Sequence, residues 1–489
     1  MSLPAAGRDL QKRIDQERSP VRMATLTTLL ILLTGCVSCT TPLPVARPAA
    51  PTPPAAFKTA AMAGGLQIKP DWWTLFNDPQ LDALEQQALS SSPTLAIASA
   101  RVERARAQSS LVTAEFGPRV TADGAVQRFR TSRNVATAPF IAGQRRAIED
   151  NQFSAQATLG WEFDVWGRIK ASHEVAQAQL ASTLLEADAM RLVLTAEVAS
   201  TYLQLRGLDD EGRVVNAATQ SRRDALRVVQ LRYDVGVVTD LDLERARTEL
   251  ANALADESDL ARRRNGLENA LAQLTGKAPE ELRLPLSGTI PSAPVIAAGI
   301  PSEMLQRRPD IAQAQAQRNA AFAQTGVAQA AFYPQIRLTG AAGLASSDLT
   351  TLISAPARLF SLGPSISIPV LDSGRNQANW RAAQAGLDEA QATFQQRILI
   401  ALREVDDALS ELAHRRTTAE AQQQAITASS RAARVARLRY EKGAASYLEV
   451  TDTERTQLAA ERALAQTRAA QWVATVQLVK SLGGGWDGS

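Results

Sequence analysis

The chain has 489 residues, of which 45% are hydrophobic and only 5% aromatic, and its formal net charge is +3. No basic stripe is interleaved with aromatic residues, so a nucleic-acid partner is not expected. The two cysteines, Cys36 and Cys39, form a CxxC pair, but the βαβ pattern that would support a redox site does not surround them.

Residues 1–35 have the pattern of a secretory signal peptide. Arg18 and Arg22 precede an apolar run that is too short to span a bilayer, since a spanning helix needs about 20 residues. The run ends in Leu-Thr-Gly-Cys, which resembles the lipobox of bacterial lipoproteins. That resemblance implies N-acyl and S-diacylglycerol chains on Cys36, no other cofactor, and sorting to the outer membrane, because Val37 replaces the aspartate that retains lipoproteins at the inner membrane. Either methionine of this segment could be the start of translation.

Residues 36–67 are predicted to be an acylated tether, because their first part is rich in proline, alanine and threonine and such a segment cannot form a core. The folded part is expected to begin near Ile68. Trp72, Trp73 and Phe76 would anchor it.

Long helices dominate the rest of the chain. Proline is absent from 140–278 and from 370–489, and both stretches are dense in good helix formers. Two apolar stripes, beginning at Leu192 and Leu194, indicate a helix that packs on both sides, as in a bundle wall, a cylinder or an ordinary coiled coil. The predicted helices are about 93–116, 168–235, 240–275, 309–332, 374–441 and 447–481.

Four segments between the helices alternate apolar and polar residues, which predicts strands. In the clearest one, Phe153, Trp161 and Phe163 share a face, whereas in the first one Arg128 falls on the same face as Val126. Such alternation over about ten residues is typical of transmembrane β-strands and also of a half-buried sheet in a soluble domain. The predicted strands are about 118–130, 152–165, 334–346 and 361–371.

The sequence is internally duplicated. Leu-Arg-Tyr-Asp-Val-Gly at 231–236 returns as Leu-Arg-Tyr-Glu-Lys-Gly at 438–443, and the pair Gly167-Arg168 also returns 207 residues later. This period is much longer than the ~20–50 residues of a solenoid repeat. The predicted structural repeats are 68–280 and 281–489, with two strands each.

Four strands per chain predict a channel shared between copies. About eight strands are the minimum for a closed barrel, and lipid excludes an open sheet edge. Two copies would give a plugged barrel and three would leave a passage. A membrane barrel continued by a long helical tube uses both kinds of element.

Several short motifs follow one another along the chain: Asp71-Trp72-Trp73, Asp78-Pro79, 161–168 (Trp-Glu-Phe-Asp-Val-Trp-Gly-Arg), 202–207, 232–236, 307–311 (Arg-Arg-Pro-Asp-Ile) and 482–486. In these motifs and their order the mature chain resembles the TolC-like outer-membrane efflux proteins, in particular the NodT/OprM lipoprotein branch. The resemblance implies a mainly α fold with a β-barrel part, in which a homotrimer shares a twelve-stranded outer-membrane barrel and a periplasmic helical tunnel. It also implies a periplasmic adaptor, an inner-membrane pump of the RND type, contact with outer-membrane lipid, and export of small molecules such as drugs or toxic compounds. A duct for type I protein secretion is the alternative within the family.

The resemblance places the periplasmic gate and the adaptor contact at two helical hairpin ends: Tyr233, Gly236, Asp240, Asp242, Tyr440, Gly443, Glu449 and Asp452. In a trimer each acid would form a ring of three, and such rings bind cations and favour their passage. Ala445 stands where some relatives carry an arginine that locks the gate, which argues against a salt-bridge latch at this point but leaves open a hydrogen bond from Tyr440 across the hairpins.

The same residues also fit a purely structural role. Ser446 and Thr239 are placed to cap the returning helices, with Glu449 and Asp242 three residues later. Gly236 and Gly443 suit the left-handed position after a helix end. Capping and gating are compatible, so both interpretations stay open.

No catalytic constellation is evident, and an enzyme is not expected. His173 and His414 are interpreted as lying on solvated helix surfaces, and Gly483–Gly485 as a flexible tail. Two other classes of protein compete with the channel: a periplasmic coiled-coil lipoprotein that acts as adaptor or scaffold, and a lipid-anchored enzyme.

Overall fold

A computed structural model describes residue 46 and residues 54–59, 68–134, 140–141, 144–145, 147–286, 293–299 and 301–486. The predicted signal peptide and Cys36 lie outside the described residues.

Eight α-helices are present in this part of the chain: α1 Pro79–Ser91, α2 Pro93–Thr113, α3 Arg168–Asp234, α4 Asp240–Leu274, α5 Pro301–Arg307, α6 Pro309–Ala330, α7 Arg375–Glu441 and α8 Tyr447–Ser481. Helices α3 and α7 both have 67 residues, and α4 and α8 both have 35. Each pair begins 207 residues apart, so the duplication seen in the sequence extends to the length of the helices. Helices α1 and α5 were not expected.

The strands are β1 Arg119–Arg130, β2 Phe140–Ile141, β3 Gln144–Arg145, β4 Glu149–Phe163, β5 Gln335–Ser346 and β6 Arg358–Ser367. Strands β1, β4, β5 and β6 form one antiparallel sheet in that order, and β4–β5 pairing joins the two repeats. Strand β6 ends at Ser367, short of the expected residue 371, and Pro369 in this stretch has no N–H to donate to a ladder. The short β2–β3 hairpin was not expected.

The register gives the four-stranded sheet one apolar and one polar face. Trp161 lies opposite Leu338, and Leu338 opposite Pro364, so apolar residues continue across the strands. On the other face the hydroxyls of Thr121 and Thr158 are 2.6 Å apart. Arg128 is on the apolar face as predicted, but it lies near the end of β1 and donates to Glu149 at 3.2 Å.

The chain forms two compact units, and each contains parts of both repeats. Among the described residues, the sheet unit takes those within 106–179 and 317–391, and the helical unit takes those within 49–105, 180–316 and 392–489. The compact units therefore do not coincide with the sequence repeats 68–280 and 281–489.

In the sheet unit, the motif at 161–168 makes the junction between β4 and α3. The Asp164 carboxylate accepts the backbone N–H groups of Ile169 and Lys170 at 3.0 and 2.8 Å, which satisfies donors of the first helical turn. The Trp166 ring stacks on Tyr333 at 4.7 Å, and its Nε1 donates to the carbonyl oxygen of Pro334 at 2.7 Å. These contacts tie the start of α3 to the start of β5.

In the helical unit, Trp72, Trp73 and Phe76 are buried in the main core, which confirms that they anchor the fold. Tyr202 Oη donates to Asp78 Oδ2 at 2.6 Å.

None of the helices in the described part of the chain combines the length and the apolar character needed to cross a membrane.

Arg308 explains the motif at 307–311. Its guanidinium donates to both carboxylate oxygens of Asp310, at 2.9 and 2.8 Å, and to Glu404 and the carbonyl of Ser481, at 2.8 and 2.9 Å. One buried arginine thus joins α6, α7 and the end of α8, and the paired carboxylates offset the cost of burying its charge.

Two glycine segments have packing roles. A side chain at Gly207 would overlap Ala469, so this glycine allows α3 and α8 to approach closely. Gly483 and Gly484 are buried, and a side chain at Gly483 would overlap the carbonyl of Arg307. The interpretation of Gly483–Gly485 as a flexible tail is therefore wrong, because this segment is packed against α5.

Candidate functional site

The first hairpin consists of α3, the turn at 235–239 and α4. Gly236 has φ +75°, a left-handed conformation that glycine adopts without strain, and its N–H donates to the carbonyl of Tyr233 at 2.9 Å. Thr239 is the N-cap of α4, and its hydroxyl accepts from the backbone N–H of Asp242 at 3.4 Å. The chain reverses through a fixed turn.

The second hairpin, formed by α7, the turn at 442–446 and α8, repeats this geometry. Gly443 has φ +72°, and its N–H donates to the carbonyl of Tyr440 at 3.0 Å. Ser446 caps α8, and its hydroxyl accepts from the backbone N–H of Glu449 at 3.4 Å. Both predicted caps are therefore present.

The two hairpins contact each other close to their turns. Tyr447 at the start of α8 packs in a buried cluster with Val229, Leu243 and Ala246 of the first hairpin. Burial raises the pKa of Tyr447 to about 12, so its hydroxyl stays protonated at neutral pH. The Tyr440 ring lies 5.6 Å from the Tyr447 ring.

The hydrogen bond from Tyr440 across the hairpins, which the sequence left open, is absent from the described residues. Its hydroxyl is buried without a partner, while the guanidinium of Arg232 in α3 lies 4.8 Å above its ring. The ring face, which attracts a cation through its quadrupole, makes the contact instead of the hydroxyl.

The four acids at the turns fall into two groups. Asp242 is 3.6 Å from Arg245, and Glu449 accepts from Arg439 at 3.0 Å, so both are paired within their own hairpin. Asp240 and Asp452 are exposed, and among the residues that the structure covers neither takes part in an ion pair.

Arg439 ties the two ends of the second turn together within its own hairpin. Arg439 Nη2 donates to the carbonyl of Ala444 at 3.3 Å while its Nη1 binds Glu449. Sequence reasoning missed Arg439, Arg232 and Tyr447. The signal for Arg439 was available, since it lies ten residues before Glu449 in a hairpin whose turn was predicted.

Clusters of metal-binding side chains are not found near the turns or elsewhere in the part of the chain that the structure describes. Within the described ranges no group of three or more His, Cys, Asp or Glu side chains could hold a metal ion. His414 is exposed as expected, but His173 is half-buried, with its ring 5.6 Å from Phe116 and its Nδ1 3.2 Å from the hydroxyl of Thr113.

Comparison with known proteins gives similarity over most of the chain. The family model described as "Outer membrane efflux protein" matches residues 84–277 and 300–484. The chain is 32% identical over 444 residues to the outer membrane protein OprJ of Pseudomonas aeruginosa, and the match covers 90% of this chain and 92% of OprJ. It is 30% identical to the cation efflux system protein CusC of Escherichia coli, over 85% of this chain and 88% of CusC.

The fold is similar to a solved channel of the same kind. The structure of the outer-membrane channel OprN superposes with a TM-score of 0.82 at 30% sequence identity, over 90% of this chain and 99% of that chain.

Proposed function

Because this chain belongs to the outer membrane efflux protein family, we propose that it is the exit duct of a pump that expels small toxic molecules. It is an outer-membrane channel that extends into the periplasm, it is not an enzyme, and it works with an adaptor and an inner-membrane pump. CusC, whose name refers to cation efflux, supports a range of cargo that includes cations. The exposed Asp240 and Asp452 would suit cationic cargo.

The observation that carries the proposal is the four-stranded sheet. One face is apolar across all strands, and β1 and β6 each have a neighbour on one side only. An unpaired edge is costly in lipid, and four strands cannot close a barrel. A homotrimer with a shared twelve-stranded barrel satisfies both constraints, with outer-membrane lipid against the apolar face.

The gate and the adaptor contact are proposed to be the two turns with their flanking residues. Gly236 and Gly443 fix the turns, Asp242 and Glu449 are held by arginines, and Tyr440 is held by Arg232. Tyr233, Asp240 and Asp452 are left exposed for passing cargo or for a partner.

Two further parts of the proposal rest on the sequence. The lipobox supports acylation of Cys36, which mass spectrometry of the mature protein would detect. Resemblance to the OprM branch supports a pump of the RND type, and co-purification with a cross-linked pump would identify it.

Single-channel recording of the purified protein in planar bilayers tests the function. Wild-type protein should give small conductance steps, and Tyr233→Ala/Tyr440→Ala should give larger ones, because the second substitution removes the ring that holds Arg232. Absence of steps from both folded proteins would overturn the channel assignment.

A further inference from the structure

A cavity of about 850 Å³ lies in the helical unit, lined by residues of α3, α4, α7 and α8. It lies at the level of Gly207, where α3 and α8 approach each other closely. We call it the α3–α8 cavity. Its volume is in the range of about 300–1,000 Å³ that is typical of pockets for drug-sized molecules.

The middle of the α3–α8 cavity is apolar and made largely of small residues. Leu208 and Val473 line it and are half-buried, and Ala470 lies one helical turn before Ala474 on the same wall. A Cβ atom at Gly266 would meet no other atom within 4 Å, so the α4 side of the cavity is open space. An apolar ring body would lose contact with water here without displacing a side chain.

The polar residues around this apolar part favour a negative ligand. The two lining acids are already paired, since Glu211 lies 2.9 Å from Arg462 and Glu411 lies 2.5 Å from Arg415. Arg263 is exposed and takes part in no ion pair among the described residues, so its guanidinium is available to an anion.

Two amides add neutral donors to the same rim. Gln204 of α3 and Gln477 of α8 line the cavity and are exposed. Within the described part of the chain neither side chain makes a hydrogen bond. Each amide has two N–H groups to offer, which suits the oxygens of a carboxylate or sulfonate.

The cavity lies on a face of the helices that the main core does not cover. In α3 the core takes Val198, Tyr202 and Leu205, and the cavity takes Gln204 and Leu208. At about 100° per residue the two stripes are separated by about 120° around the helix.

The same division holds in α8, where Trp472, Val476 and Val479 belong to the core and Gln466, Ala470 and Val473 line the cavity. Trp72 and α1 pack against the core side. A passage along these helices therefore has its free surface on the side of the cavity.

We propose that the α3–α8 cavity is a binding site in the wall of the channel for amphipathic organic anions, in which a carboxylate or sulfonate is attached to an apolar ring body. The proposal rests on the channel function and adds a class of cargo to it. Arg263 and Arg415 bind the anionic group together with Gln204 and Gln477, and Leu208 and Val473 contact the rings.

Fluorescence titration of the purified protein in phosphatidylcholine nanodiscs tests the site, with the signal of empty nanodiscs subtracted. The probe is anilinonaphthalene sulfonate. Arg263→Gln/Arg415→Gln should bind it at least tenfold more weakly than wild type, equivalent to about 1.4 kcal/mol, because the sulfonate loses two charged donors. Phenylnaphthylamine has the same rings without the sulfonate, and its affinity should be unchanged.

Two further variants locate the site. Ala470→Phe fills the cavity and should weaken the binding of both probes. Arg403→Gln/Arg416→Gln removes the same charge from arginines of α7 that do not line the cavity and that pair with Asp407 and Glu420. This matched control should bind the sulfonate as wild type does.

Circular dichroism and thermal melting establish that each variant is folded. If Arg263→Gln/Arg415→Gln is unstable, Arg263→Gln alone is judged by loss of sulfonate binding, since Arg263 is exposed and has no ion pair among the described residues.

Three results would overturn the anion site: no binding to wild type, unchanged sulfonate affinity in the folded arginine variant or in Ala470→Phe, or equal weakening in the matched control. Any of them would leave the channel function standing if the wild type conducts in bilayers. A wild-type protein that binds the sulfonate but conducts no current would instead overturn the channel function.

Discussion

At the scale of single residues, Glu85 in α1 is the most unusual group of the helical unit. It is fully buried, and neither carboxyl oxygen has a well-formed hydrogen bond within the described part of the chain. Burial raises the pKa of Glu85 to about 9, the nearby charge of Asp82 adds to the rise, and the backbone amide of Ala199 offsets part of it. Glu85 is therefore protonated at neutral pH.

This buried acid predicts a pH dependence of stability. The unfolded chain ionises Glu85 near pH 4.5 and the folded chain only near pH 9, so stability is lost as pH rises between these values, by up to about 1.4 kcal/mol per pH unit. Glu85→Gln should remove this slope and be more stabilising at pH 8 than at pH 5, as measured by denaturant unfolding in detergent. Parallel pH profiles for the two proteins would show that Glu85 is ionised in the folded state.

At the scale of elements, the hairpin turns could be predicted because their signals are local. Gly443 and Ser446 lie three residues apart, and each acts on backbone groups beside it. The contact between the hairpins could not be predicted, because Arg232 and Tyr440 are far apart in sequence and nothing near either residue specifies a ring face as the partner. The same limit explains why the sequence left a hydrogen bond from Tyr440 open.

The cap of α8 gives a prediction at this scale. Ser446→Ala should destabilise the first turn of α8 by about 1 kcal/mol, since the backbone N–H of Glu449 loses its side-chain acceptor and keeps only the Ser446 carbonyl, at 3.2 Å. Hydrogen exchange over 447–450 should accelerate about fivefold, with the middle of the helix unchanged. Ser446→Asp keeps an acceptor and should exchange as wild type. Equal acceleration in both variants would argue that the cap contributes nothing.

At the scale of the whole molecule, alternation along the chain identified the four long strands, and strand register explains why it sufficed. The apolar residues of neighbouring strands share one face only if the pairing register places them opposite each other, because a slip of one residue moves them to the other face. Here Phe163, Ile336 and Ile366 align across three strands. Alternation could not distinguish lipid from a soluble partner on that face. The proposal that lipid meets this face rests on the family and on the two edge strands, β1 and β6, each of which has a neighbour on one side only.

Two neighbouring residues of β6 test the orientation of the sheet in the membrane. Leu362 is on the apolar face and is well exposed in the single chain, so Leu362→Arg should cost about 2–4 kcal/mol if it meets lipid. Heat-resistant trimer recovered from outer membranes should fall accordingly. Ser361→Arg, one residue earlier and on the opposite face, should preserve the trimer and alter conductance. The reverse ranking of the two variants would invert the assignment of the faces.

The equal lengths of α3 and α7, and of α4 and α8, restrict how this protein can change in evolution. One inserted residue rotates everything after it by about 100° around the helix axis. Such a rotation would turn Glu249 of α4 away from Arg455 of α8, or Arg462 of α8 away from Asp256 of α4. An insertion in one helix must therefore be matched by insertions of the same length in its neighbours, in steps close to whole helical turns. The distance that the protein extends into the periplasm should thus change only by coordinated lengthening of all four helices, so hairpin length should be inherited as a single trait.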